Sequence, residues 1–151
     1  MAAVHKKQKR IQPLIRIRQT QFDQAVAALQ VIQMEVLKAA EVLRHYQTMY
    51  IQGVDRLNQE RQSPERRMLE ALESSIDLAK QRWYQKLSIL RELQEQEKMQ
   101  LSEVQEAQLK LKMLEKIESR YERNVQEYDK KIEQKVLDEF AIQAMIRKTS
   151  E

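Results

Sequence analysis

Residues 22–57 read FDQAVAALQVIQMEVLKAAEVLRHYQTMYIQGVDRL, and every position of a three-four spacing through that stretch is apolar or glycine. The positions are Phe22, Ala25, Leu29, Ile32, Val36, Ala39, Leu43, Tyr46, Tyr50, Gly53 and Leu57. With 42% of the chain apolar, chance fills about four or five of these eleven with apolar side chains, not ten. A stripe that returns every 3.5 residues is the seam of a coiled coil, because that repeat keeps one edge of the helix against its partner. Gly53 lies on the seam. It weakens the helix by about 1 kcal/mol relative to Ala, and its missing side chain permits close approach.

Outward from this stretch, the one dense break is Gln62-Ser63-Pro64-Glu65. Ser63 suits an N-cap, Pro64 the first helical position, and Glu65 the positive end of a helix. A second helix then runs without Gly or Pro to Glu151. A short break between two amphipathic helices favours folding back. The expected fold is therefore all-α: an antiparallel two-helix coiled-coil hairpin, one domain over residues 1–151, with the second helix the longer. Its parts are a basic arm over 1–12, helix one over about 13–60 with Pro13 in its first turn, a hinge at 61–63, and helix two over about 64–147. A bend near residue 61 sets residue i opposite about 122 − i. Helix one of about 45 residues spans roughly 70 Å and helix two of about 80 roughly 120 Å, leaving about 35 residues of helix two with no partner.

The second seam is less regular. Met68, Leu72, Ile76, Ala79, Trp83, Leu87 and Leu90 form a stripe, Gln94 and Glu97 interrupt it, and Leu101, Val104, Leu111 and Leu114 resume it. Beyond them Ile117, Tyr121, Val125, Tyr128, Ile132, Val136 and Phe140 follow, mostly at four-residue steps, which relaxes a left-handed supercoil.

Composition agrees with a two-helix protein. One Gly and two Pro leave little to build turns from, and 5% aromatic with 33% charged residues is too polar for a thick core. No Cys is present, so disulfides and thiolate metal sites are excluded. No apolar run approaches the roughly 18 residues of a membrane span. No secretory signal is evident, which sets the expectation of a cytosolic protein. Residues 1–20 carry Lys6, Lys7, Lys9, Arg10, Arg16 and Arg18 and no acid, within a net charge of +4. Such an arm suits an acidic protein surface, anionic lipid or nucleic acid, and equally a solvated tail.

Catalytic chemistry has no foothold. A phosphate loop or dinucleotide fingerprint needs more than one glycine. His5 and His45 stand 40 residues apart, with no second ligand at metal spacing. Asp and Glu interleave with Lys and Arg as on a solvated helix face. No catalytic residue, cofactor site or metal site is expected.

The last twenty residues narrow the reading. Gln134-Lys135-Val136-Leu137-Asp138-Glu139-Phe140-Ala141, followed by Ala144-Met145-Ile146-Arg147-Lys148, resembles the C-terminal signature of the FliJ family of the flagellar type III export apparatus. Total length, Pro13-Leu14-x-x-Ile17 and Tyr46-Gln47-x-x-Tyr50 are also similar to that family. The resemblance implies a non-enzymatic stalk that enters the central hole of a hexameric export ATPase, promotes its ring assembly and activity, and links it to the membrane export gate and to export chaperones. It implies a cytoplasmic location, peripheral to the membrane at the flagellar base. Ring contacts would then fall to Arg16, Arg18, Asp138, Glu139, Phe140, Arg147 and Lys148. Gate and chaperone contacts would fall to Leu43, Tyr46 and Tyr50 on helix one and to Met68, Leu72, Ser75 and Ala79 on helix two. Ala39, Met68 and Ala79 depart from the family's usual residue types at their positions.

Two tensions stay open at this level. The heptads place Leu43, Tyr46 and Tyr50 in the seam, whereas the family pattern exposes them to partners; a tyrosine can serve both with its ring packed and its hydroxyl wet. Alternative functions on the same rod are the stalk of a virulence injectisome, a scaffold, and a nucleic-acid-binding coiled coil. The last is disfavoured, since basic and aromatic residues do not interleave into a stacking platform.

Overall fold

The computed structural model describes residues 2–62 and 65–150. Two helices, α1 (Ala2–Glu60) and α2 (Arg66–Ser150), form an antiparallel hairpin with α2 the longer. No strand occurs among the described residues. At the bend, Arg61 N–H donates to the Leu57 carbonyl at 2.9 Å, closing α1, and Arg61 and Gln62 form a turn. The Glu65 carbonyl then accepts from Leu69 N–H at 3.4 Å, so α2 begins at Arg66 rather than near residue 64. The capping roles read for Ser63 and Pro64 lie outside the described residues.

By contact density the chain divides into two compact units. One is Gln24–Val104, and the other is Met1–Asp23 with Gln105–Glu151.

In Gln24–Val104, all ten three-four positions of α1 from Ala25 to Leu57 are buried or half-buried, as are Ile76, Ala79, Trp83, Leu87 and Leu90 of α2. Leu57, Ala79 and Leu90 are the most deeply covered. Fully burying one such leucine stabilises by about 1.5–3 kcal/mol, so a row of half-buried positions suffices to hold the pair. At Gly53 the helices come so close that an added Cβ would stand 2.9 Å from Ile76 Cγ1. The close approach expected of this residue is therefore present, with Ile76 as the side chain that uses it.

Two expectations need correction here. Contacts pair Ala25 with Gln100, Tyr46 with Arg82, Gly53 with Ile76 and Tyr50 with Trp83. Partners on α2 thus lie about six residues further along than a bend at residue 61 requires. The cause is that α1 stays helical to Glu60 and α2 starts only at Arg66, which moves the midpoint of the bend toward the chain's C-terminal side. The α2 seam is also more regular than its apolar letters. It runs Leu90, Leu93, Glu97, Gln100, Val104, all buried or half-buried, while Gln94 and Leu101 are exposed. Glu97 and Gln100 are polar members of the seam rather than a gap in it. Gln100 is satisfied there, its Nε2 donating to the Ala25 carbonyl at 3.1 Å.

In the unit containing both chain ends, the α1 seam extends upstream of Phe22 through Arg18, Ile15 and Ile11, the same three-four series continued. Ile11 and Leu111 are each only 6% exposed. Ala107, Leu114, Tyr121 and Val125 are half-buried. The stretch expected as a loose arm over 1–12 is helical from Ala2, and Pro13 sits inside α1 rather than at its start. An interior proline costs about 3 kcal/mol, and burial of Ile11 two residues before it works against that cost. With α1 of 59 residues and α2 of 85, the mismatch is 26 residues rather than about 35.

Candidate functional site

The chain-end unit carries the first candidate. Val125 is the last half-buried position of α2, and every residue from 126 to 149 is exposed. Within 136–146, eight of eleven residues are apolar: Val136, Leu137, Phe140, Ala141, Ile142, Ala144, Met145 and Ile146. Successive residues turn by about 100°, so these eight reach every quarter of the helix circumference. Phe140, Leu137 and Met145 are 66%, 61% and 69% exposed. A surface helix keeps one apolar stripe, and a helix apolar all round is one that becomes enclosed. Sequence reading identified only the stripe Tyr128, Ile132, Val136 and Phe140; counting the residues beside it at 100° reveals the rest.

Flanking this segment, Asp138 accepts from Gln134 Nε2 at 3.1 Å, and the Thr149 hydroxyl reaches back to the Met145 and Ile146 carbonyls. Asp138, Glu139, Arg147 and Lys148 are exposed. Arg147 and Lys148 occupy the last turn of α2, where cations complement the helix dipole.

Arg16 and Arg18 belong to the same unit but not to the same spot. Arg16 is exposed and its carbonyl accepts from Thr20 Oγ1 at 2.9 Å. Arg18 is half-buried on the seam, its Nη1 donating to Gln21 Oε1 at 3.0 Å. It borders a shallow groove with Leu14, Lys110, Met113, Leu114 and Ile117. The seven residues read as ring contacts therefore separate into two arginines on α1 and an exposed terminal segment of α2.

The hinge-side candidates lie in Gln24–Val104. Leu43, Tyr46, Tyr50, Met68 and Leu72 are half-buried, Ala79 is buried, and Ser75 is exposed. Tyr50 packs on Trp83 with ring centroids 5.5 Å apart. The Tyr46 and His45 rings meet edge-to-face with centroids 5.5 Å apart, and the Arg82 guanidinium lies 6.0 Å from the Tyr46 ring centre. Trp83 in turn stacks on Tyr84 at 5.6 Å, and Lys80 lies over Tyr84 at 5.9 Å. The tyrosines are thus seam residues with one edge left to solvent. Arg82 and Tyr84 escaped sequence reading because they stand beside the heptad positions rather than on them.

Among the described residues no cluster of His, Asp or Glu has the grouping of a metal site, and no helix is long and apolar enough to cross a membrane.

No curated protein and no solved structure matches the chain. The family model of the flagellar FliJ protein matches residues 7–150. That span takes in the C-terminal Asp138-Glu139-Phe140-Ala141 motif, the tyrosine pair, all of α2 and all but the first five residues of α1, and so the chain belongs to the flagellar FliJ protein family.

Proposed function

We propose that this flagellar export component works as a non-enzymatic stalk and adaptor, entering the central hole of the hexameric export ATPase with the terminal segment of α2. The observation that carries the reading is the exposed helix of residues 136–146, apolar on every side. One flat partner face would leave most of such a helix in water, whereas a ring's hole surrounds it. Arg147 and Lys148 below the segment, with Asp138 and Glu139 within it, supply charges that orient it against loops lining the hole. Enclosure of the segment favours the assembled ring over separate subunits, which is how binding promotes ring assembly and hydrolysis.

The hinge-side unit then serves the membrane export gate and the export chaperones, and the protein works in the cytoplasm at the flagellar base. The half-exposed edges of Tyr46 and Tyr50 are the family-matched contacts there.

The decisive experiment removes residues 134–151 and measures ATP hydrolysis by the purified export ATPase with and without each form. We expect the full chain to stimulate and the truncated chain not to. The melting temperature should hardly move, because every residue from 134 to 149 is exposed in the free chain. Full stimulation by the truncated chain would sink the assignment.

A further inference from the structure

The α2 seam outlasts its partner helix. In the chain-end unit Ala107, Leu111, Leu114, Glu118, Tyr121 and Val125 follow at alternating steps of four and three, and all are buried or half-buried. The same steps continue through Tyr128, Ile132, Lys135, Glu139, Ile142, Ile146 and Thr149, all exposed. Tyr128, Ile132, Ile142 and Ile146 leave 37%, 38%, 57% and 59% of their surfaces in water. A seam at this spacing takes a second helix along its length. Cover ends at Val125, so residues 126–149 continue an interface that is filled only upstream.

The uncovered series is its own complement. Two copies of 125–149 laid antiparallel about Leu137 set Val125 against Thr149 of the second copy, Tyr128 against Ile146, Ile132 against Ile142 and Lys135 against Glu139. The one charged layer joins opposite signs, and symmetry supplies it twice. A parallel pair would set Lys135 on Lys135 and Glu139 on Glu139. An antiparallel pair slipped by one heptad sets both charges on Tyr128 and Ile132 in one direction, and on Ile142 and Ile146 in the other. An unmatched charge in a seam is costly, so the layer of Lys135 and Glu139 selects both orientation and register. Beside the seam, Val136 faces Val136, Lys131 faces Met145 and Asp129 faces Gln143. Asp138 facing Asp138 is the one like-charge contact of these flanks.

Net charge favours contact between copies in this segment over contact elsewhere in the unit. Residues 126–149 carry five basic and five acidic residues, whereas 1–23 and 105–125 together carry eleven and five. Two neutral segments approach without the repulsion that two basic ones meet.

We infer that the overhang of α2 docks a second copy of itself, giving an antiparallel homodimer that holds the segment while no ring is present. Pairing covers one side of the helix and leaves Leu137, Phe140 and Ala144 outside it. A hole that encloses every side therefore outcompetes the second copy. The inference rests on the stalk reading above only for this competition, and the pairing stands without it.

The test is sedimentation velocity of the full-length chain over a range of concentrations. Monomer should pass to dimer as concentration rises, and the chain lacking residues 134–151 should stay monomeric. Lys135→Glu and Glu139→Lys, each alone, should weaken the dimer at least about tenfold, equivalent to about 1.4 kcal/mol. Mixing the two variants should restore it, because every charged layer then joins opposite signs. Asp138→Asn should tighten it. All three positions are exposed in the single chain, so the hairpin should stay folded in each variant. Spin labels at Lys131 on one copy and Met145 on the other should lie close, whereas a parallel pair separates them by roughly 20 Å along the axis. Added export ATPase should dissolve the wild-type dimer as stimulation appears. A chain that is monomeric at every concentration, or a dimer indifferent to these substitutions, overturns the pairing and leaves the stalk reading standing. Stimulation by a chain that remains dimeric overturns the competition. A dimer with these properties and no stimulation by the full chain overturns the stalk reading and leaves the pairing standing.

Discussion

Gly53 and Gln100 show how single residues set the fit between the helices. A methyl at position 53 would meet Ile76 Cγ1 at 2.9 Å, nearer than atoms tolerate. Alanine gains about 1 kcal/mol of helix propensity there, and overpacking costs about 1–3 kcal/mol. We expect Gly53→Ala to lower stability slightly, and Gly53→Ala in an Ile76→Ala background to raise it relative to Ile76→Ala alone. A double-mutant cycle by denaturant unfolding checks this, and additive effects would show that the helices do not touch at this level. Gln100 acts on register rather than on strength. Its bond to the Ala25 carbonyl forms only when α2 stands at one height against α1. A polar residue in a seam specifies register at some loss of stability. Gln100→Leu should therefore hold or raise the melting temperature, by up to about 1 kcal/mol of added stability, while broadening the distance between spin labels at Ala28 and Lys98. A single unbroadened distance would mean that the apolar seam alone sets the register.

At the scale of elements, Pro13 separates what the sequence makes legible from what it hides. The three-four series from Phe22 to Leu57 predicts its own burial position by position. It also continues upstream through Ile15 and Ile11, but Arg18 interrupts its apolar letters and Pro13 looks like a beginning. Both residues mislead for one reason, since local chemistry is overruled by packing. Arg18 is half-buried with its polar end bonded to Gln21, and Ile11 is anchored, its groove shared with Leu114, Ile117 and Tyr121. The same reason hides Glu97 and Gln100 in α2, where a polar pair sits on the seam while the apolar Leu101 faces outward. The terminal segment was legible as a motif and as one stripe; its all-round apolar character needs the exposure of every residue beyond Val125 to acquire meaning. If packing holds the start of α1 against its proline, Pro13→Ala should slow amide exchange over residues 2–12, recovering part of the roughly 3 kcal/mol cost. Ile11→Ala should speed it, with a loss of about 2–4 kcal/mol. Exchange equally fast in all three forms would show that the helix before Pro13 is not held by Ile11.

For the whole molecule the governing asymmetry is charge. The unit with both chain ends carries 16 basic and 11 acidic residues, and Gln24–Val104 carries 11 and 12. The ion pairs Arg66–Glu70 and Lys110–Glu106 do not spend that excess on holding the helices together, since each lies within one helix. Both are exposed, at 3.8 Å and 3.3 Å. Exposed pairs of that kind contribute about 0.3–0.5 kcal/mol each, against several kcal/mol from the seam. Around the grooves beside α1, the cations Lys7, Arg10 and Arg18 border apolar Leu14 and Leu114. Charge that does not serve the fold is available to a partner, which in the stalk reading proposed above would be the ATPase ring. Salt should thus separate folding from function. Between low salt and about 1 M, where the screening length falls from about 30 Å at 0.01 M to about 3 Å, the melting temperature should stay nearly level while affinity for the ring drops at least several-fold. Apolar enclosure of residues 136–146 is not weakened by salt, so a residual affinity should persist and should vanish on removal of 134–151. Ring affinity that ignores salt altogether would leave the apolar segment as the sole contact and the basic excess without a part in binding.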